Sequence, residues 1–118
     1  MADTLDRTAL DELRAMTGDD PALYAELLDT FLADADLYIA ELSSAPDVAT
    51  LARAAHSLKS NAMNVGAATL ADLCRTLEAD AGAGVVSDQD ARVAAIRAEL
   101  DVVRPAVIGE RGASAQPP

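Results

Sequence analysis

The stretch DVATLARAAHSLKSNAMNV, residues 47–65, decides the fold. Leu51, Ala55, Leu58, Ala62 and Val65 recur at spacings of three and four, the period of one face of an α-helix. Pro46 precedes the stretch and Asp47 can accept from its first free N–H groups, so both start signals stand at its head. A stripe of Leu, Ala and Val on one face must be buried against other helices.

Working outward, glycines and prolines fall almost entirely between segments with the same period: Gly18 and Pro21, Pro46, Gly66, Gly82 and Gly84, then Pro105, Gly109 and Gly112. Cutting there predicts a first helix over about Thr4–Met16, with Leu10, Leu13 and Met16 inward. The second runs over about Pro21–Ser44, capped by Asp20, with Leu23, Leu27, Phe31, Ala35, Tyr38 and Leu42 inward. The third is about Val48–Val65. The fourth is about Ala67–Ala81, with Leu70, Leu73, Cys74, Leu77 and Ala81 inward. The last is about Asp88–Ile108, capped by Ser87, with Val93, Ile96, Leu100, Val103 and Val107 inward. No stripe keeps a strict heptad for long, which argues against an extended coiled coil. Four amphipathic helices joined by short turns bury their stripes best as an antiparallel four-helix bundle, with the short first helix as an addition. The expected fold class is therefore all-α. The bundle spans residues 1–108, Pro105 kinks or ends the last helix, and residues 109–118 form a flexible tail.

Composition agrees. The 118 residues are 51 % hydrophobic but only 3 % aromatic, with no Trp, which suits close-packed aliphatic helices better than strands. A chain of this length supports one core. Nine Lys and Arg against 20 Asp and Glu give a net charge of −11, which disfavours nucleic acid and anionic membrane. Cys74 is the single cysteine and lies on an apolar stripe. It reads as core filling, with no disulfide or cysteine metal site to build, in a reducing cytoplasm. No apolar run is long enough to span a membrane, and the charged start of the chain lacks the apolar run of a signal peptide.

The chemistry concentrates on the third helix. With its apolar stripe at zero, His56 points roughly 140° away, Ser60 roughly opposite the core, and Lys59 roughly 80° off. His56 is the only histidine and Lys59 the only lysine, three residues on; Arg53 lies three residues back. These positions neighbour one another on the helix surface. An imidazole is largely neutral at pH 7 and is then a nucleophile. A phosphoryl group placed on it would find offsetting charge in Lys59 and Arg53. Ser60 is small and leaves room for a second protein to approach, and Met63 is a candidate partner contact two turns along. The plain alternative is a solvated surface histidine among ordinary surface charges.

The run Ala55-His56-Ser57-Leu58-Lys59-Ser60, followed by Val65-Gly66, Leu70, Leu73-Cys74 and Leu77-Glu78, resembles a histidine-containing phosphotransfer (HPt) domain. That family pattern has a phosphorylatable His, Lys three residues later, a small residue beside the Lys, and Gly ten after the His. Ser60 departs from it, standing where the family usually has Gly. The resemblance implies a cytoplasmic, monomeric phosphorelay intermediate without kinase activity of its own. His56 would be the phosphoacceptor, Lys59 would steady the phosphoryl group, and Gly66 would be a binding position beside Arg53, Ser60 and Met63, which the helix surface itself offers as binding positions. Gly66 would also allow the tight turn and the close contact between the third and fourth helices. The partners it implies are a histidine kinase and response-regulator receiver domains, which supply the aspartate and the Mg²⁺. It implies no cofactor and no metal site on this chain, in keeping with a sequence that lacks Gly-rich phosphate loops. A sensor-kinase dimerisation pair fits less well, since Ser57 and Asn61 replace the acidic residue and the Pro expected after its His. The other class of reading is a non-catalytic helical adaptor in which His56 is incidental.

Overall fold

The computed structural model describes residues 4–84 and 86–115. Five helices follow one another: α1 (Arg7–Met16), α2 (Pro21–Ser44), α3 (Val48–Asn64), α4 (Ala68–Gly82) and α5 (Gln89–Ala115). Short connections force consecutive helices into antiparallel hairpins. Helix α3 packs between α2 and α4, and α5 closes the ring by packing on both α2 and α4. Helix α1 lies against α2 and α3 at one end.

Three acidic caps set the starts of the first three helices. Asp6 accepts from Thr8 N–H, Asp20 from Ala22 and Leu23 N–H, and Asp47 from Thr50 N–H. Pro21 occupies the first turn of α2, where its missing N–H costs nothing. The core is built of Leu, Ala and Val from all four long helices, joined by Tyr24, Phe31, Ile39, Ile96 and Cys74. The expected stripes of α3 and α5 are buried at every position, from Leu51 to Val65 and from Val93 to Val107.

Elsewhere the structure shifts the expectations. Helix α1 begins at Arg7 rather than Thr4, because Asp6 caps it. Met16 is 81 % exposed and is no part of the core. The first turns of α2 bury Tyr24 and Leu28, while Leu23 is exposed. Apolar residues stand at both 23 and 24 and at both 27 and 28, so spacing alone did not choose the face. Helix α5 starts at Gln89, with Asp88 just before it at φ +58° and its carbonyl accepting from Arg92 N–H, so Ser87 lies one residue too early to cap it.

The last helix is also longer than its punctuation suggests. It passes through Pro105 and continues to Ala115, so residues 109–115 of the expected tail are helical and residues 116–118 lie outside those described. Pro105 is exposed, and the carbonyl it leaves unbonded, that of Asp101, is on an exposed residue where water can satisfy it. Tertiary contacts hold the extension. The Glu110 carboxylate accepts from Arg7 at 2.6 and 3.1 Å, from Arg14 at 3.1 Å and from the Tyr24 hydroxyl at 2.9 Å. The Arg14 guanidinium also covers the Tyr24 ring, 4.9 Å from its centre. Further along the α2–α5 seam, Arg111 pairs with Asp29 and Arg104 with Asp36, both at 2.6 Å, and Arg97 donates to the Ser43 hydroxyl at 2.7 Å. The three rungs recur every seven residues on both helices, the spacing that keeps antiparallel helices in register along one seam.

Gly66 ends the α3–α4 hairpin at φ +72°, the left-handed region where a side chain is costly. A Cβ there would lie 2.6 Å from the Asp6 nitrogen. Asp6 N–H donates to the Gly66 carbonyl at 2.9 Å. The close approach that Gly66 permits is thus to the segment leading into α1, not between α3 and α4 as the sequence suggested.

Candidate functional site

His56 emerges from the middle of α3 with its side chain 59 % exposed. The buried stripe beneath it, Ala55 and Leu58 among others, fixes the helix against the core and turns residue 56 outward. Arg53 and Ser60 are exposed on the same helix, and Met63 is 53 % exposed. Gly66 is buried in its turn and offers no surface of its own.

Lys59 differs from expectation. Its side chain is only 19 % exposed, because it leans across onto α4 and donates to Glu78 Oε1 at 2.6 Å. The other oxygen of that carboxylate, Oε2, lies 2.7 Å from His56 Nδ1. One carboxylate on α4 therefore holds both unusual residues of α3. Glu78 closes the HPt-like run, and nothing in its residue type singles it out from its neighbours. Twenty acidic residues made one carboxylate inconspicuous. The available signal was its place directly after core residue Leu77, on the helix that pairs with α3.

The geometry assigns the proton. Lys59 holds the Glu78 carboxyl below its usual range, and the contact with His56 adds to this, so the group is ionised at neutral pH. An ionised carboxylate only accepts hydrogen bonds, so Nδ1 must be the ring nitrogen that donates. In the neutral form of the ring Nε2 then carries the lone pair, and the ring is more than half exposed. This is a positioned imidazole with one nitrogen anchored and the other open to reaction.

Cys74 is fully buried next to this site, and burial raises its thiol to about 12, so it is a packing group and not a nucleophile. Arg75 is tied to Asp72 one turn away. Among the described residues, no group of three or more His, Cys, Asp or Glu is placed to hold a metal ion. No described helix is long and apolar enough to cross a membrane.

Comparison with protein-family models matches residues 26–106 to the Hpt domain. The chain belongs to the Hpt family. Hpt domains are phosphotransfer intermediates of two-component signalling and work with histidine kinases and receiver domains. Among solved structures, this Hpt domain is similar to histidine-containing phosphotransfer protein B (HptB) from Pseudomonas aeruginosa PAO1. The TM-score is 0.85 and the identity 32 %, covering 95 % of this chain and 97 % of that one. A search of curated proteins returned no match. The match to HptB takes in most of the chain, beyond the 26–106 span of the family match.

Proposed function

We propose that this Hpt domain accepts a phosphoryl group on Nε2 of His56 from a receiver-domain aspartate or a histidine kinase and passes it to another receiver aspartate. The observation that carries this reading is the hydrogen bond from Nδ1 to Glu78, on a ring left largely open to solvent. The reactive form is the neutral ring, in which Nδ1 donates to Glu78 and Nε2 carries the lone pair. As it attacks an aspartyl phosphate, the N–P bond forms and the P–O bond to the partner's carboxylate breaks, the electron pair leaving with that oxygen. The ring becomes an imidazolium whose Nδ1–H faces the Glu78 carboxylate, so the charge that develops on the ring is offset where it appears. In the return direction the ring departs as a neutral imidazole with its Nδ1 proton already in place.

Lys59 steadies the phosphoryl group. Its ammonium shares one carboxylate with His56, so it is held beside the ring rather than left to wander in solvent. Arg53, Ser60 and Met63 form the open surface that meets the partner, and Gly66 serves it by fixing the turn at the end of α3. The partner supplies the aspartate and the Mg²⁺. The domain acts as a cytoplasmic monomer and has no kinase activity of its own.

Mixing the protein with a phosphorylated receiver domain tests this. The expected result is an acid-labile, base-stable label that is absent from His56→Gln. No label with several receivers, or label that persists in His56→Gln, would leave the helical adaptor as the better reading.

A further inference from the structure

Of the nine cationic side chains, eight have partners within the molecule. Arg7 and Arg14 are committed to Glu110, and Arg97, Arg104 and Arg111 to the α2–α5 seam. Lys59, Arg75 and Arg92 are held by Glu78, Asp72 and Asp80. Among the described lysines and arginines, Arg53 alone has a side chain that makes no hydrogen bond or ion pair. Its charge is felt by Asp47 at the head of α3, but that carboxylate is bonded to Thr50. Arg53 is exposed and stands one helical turn from His56.

The charge balance gives this position its meaning. His56, Lys59 and Glu78 together sum to zero when the ring is neutral, as do Arg75 and Asp72. The molecule as a whole carries −11 and repels an anion. A protein that brings an aspartyl phosphate to Nε2 presents there the phosphoryl oxygens and the carboxylates that hold its Mg²⁺, groups that are themselves anionic. Attraction near the site therefore has one uncompensated source.

Resting on the phosphotransfer reading above, we infer that Arg53 is the docking cation: it attracts the anionic rim around the partner's aspartyl phosphate and sets the encounter, while Lys59 acts on the transferring group. Arg53 is on this account a specificity-determining residue, and its effect lies in the concentration dependence of transfer, not in its maximal rate.

Single-turnover transfer from a phosphorylated receiver, measured against receiver concentration, tests this at two ionic strengths. At about 0.01 M salt the screening length is about 30 Å, and at about 1 M about 3 Å. Arg53→Ala should raise the half-saturating receiver concentration about three- to tenfold at low salt and not at high salt, with the maximal rate unchanged. Arg53→Lys should restore the low-salt value. Arg97→Ala removes an equal charge from the α2–α5 seam and should behave as the parent. If Arg53→Ala and Arg97→Ala behave alike, or if Arg53→Ala lowers the maximal rate at unchanged half-saturation, the inference is wrong while the shuttle stands. If the parent protein takes no label at all, the shuttle itself fails and the inference falls with it.

Discussion

At His56, two bonds to one carboxylate separate the jobs of two ring nitrogens and one ammonium. Glu78 anchors Nδ1, leaves Nε2 open, and keeps Lys59 at the ring's side. Replacing Glu78 tests the anchor. Glu78→Ala frees the ring and the lysine, and transfer should fall about tenfold or more, the scale seen when a carboxylate that orients an imidazole is removed. Glu78→Gln should fall between Ala and the parent, because an amide can offer Nδ1 either an acceptor or a donor and so no longer selects one tautomer. Both variants should stay within about 1 kcal/mol of the parent in urea unfolding, since the group is part-exposed. Transfer rates that match the parent in both would remove Glu78 from the mechanism. Gly66 is the residue where backbone and space act together. Gly66→Ala meets a positive φ and a Cβ within 2.6 Å of the Asp6 nitrogen, and should cost about 1–3 kcal/mol. Gly18→Ala, at a similar φ of 65° but with open space around it, should cost less.

At the scale of helices, α1 depends on a residue at the far end of the chain. Glu110 is 11 % exposed and joins α1 through Arg7 and Arg14, α2 through Tyr24, and α5 through its own backbone. Glu110→Ala takes one acceptor from two part-exposed guanidinium groups and from a buried phenol, which should cost about 1–3 kcal/mol, most of it at the phenol. Native-state hydrogen exchange should show α1 amides losing protection while those of α3 keep theirs. Equal loss in both would mean that α1 is integral to the bundle and not a separately docked element. The same carboxylate shows where sequence reading stops. Pro105, Gly109 and Gly112 are helix breakers in isolation, and the signal that overrides them is a set of partners about 86 to 103 residues away. The bounds of α2 and the whole stripe of α3 were legible, because cap, Pro and period agree locally there. The outward direction of His56 followed from the same stripe. The inward lean of Lys59 did not, because it depends on α4. Nor did the choice of Tyr24 over Leu23, which only packing against neighbouring helices settles.

For the molecule as a whole, charge and burial bound the pH range of stability. Lys59 holds Glu78 low, Arg7 and Tyr24 help hold Glu110 low, and a backbone N–H does the same for Asp47. Carboxyls held low in the folded state contribute stability above their unfolded values, and that contribution is lost as pH falls through the folded ones. On the alkaline side, burial pushes Cys74 and Tyr24 up to about 12, from 9.0 and 10.0. Their contribution is intact below the unfolded values and is lost as pH rises toward the folded ones. Urea midpoints should therefore form a plateau from about pH 5 to 9 and decline on both sides. Glu110→Gln should flatten the acid limb. An acid limb unchanged in that variant would assign the loss to other carboxyls.

The bond between Arg7 and Glu110 has a consequence for how the chain could be rewired. It ties a side chain of the first turn of α1 to one in the penultimate turn of α5, guanidinium to carboxylate at 2.6 Å. A circular permutant of residues 6–115 could join the end of α5 to the start of α1 with a flexible linker and open the chain between Gly82 and Asp88, in the connection from α4 to α5. Every helix–helix interface and the outward imidazole would be retained in a molecule whose order of synthesis begins at α5.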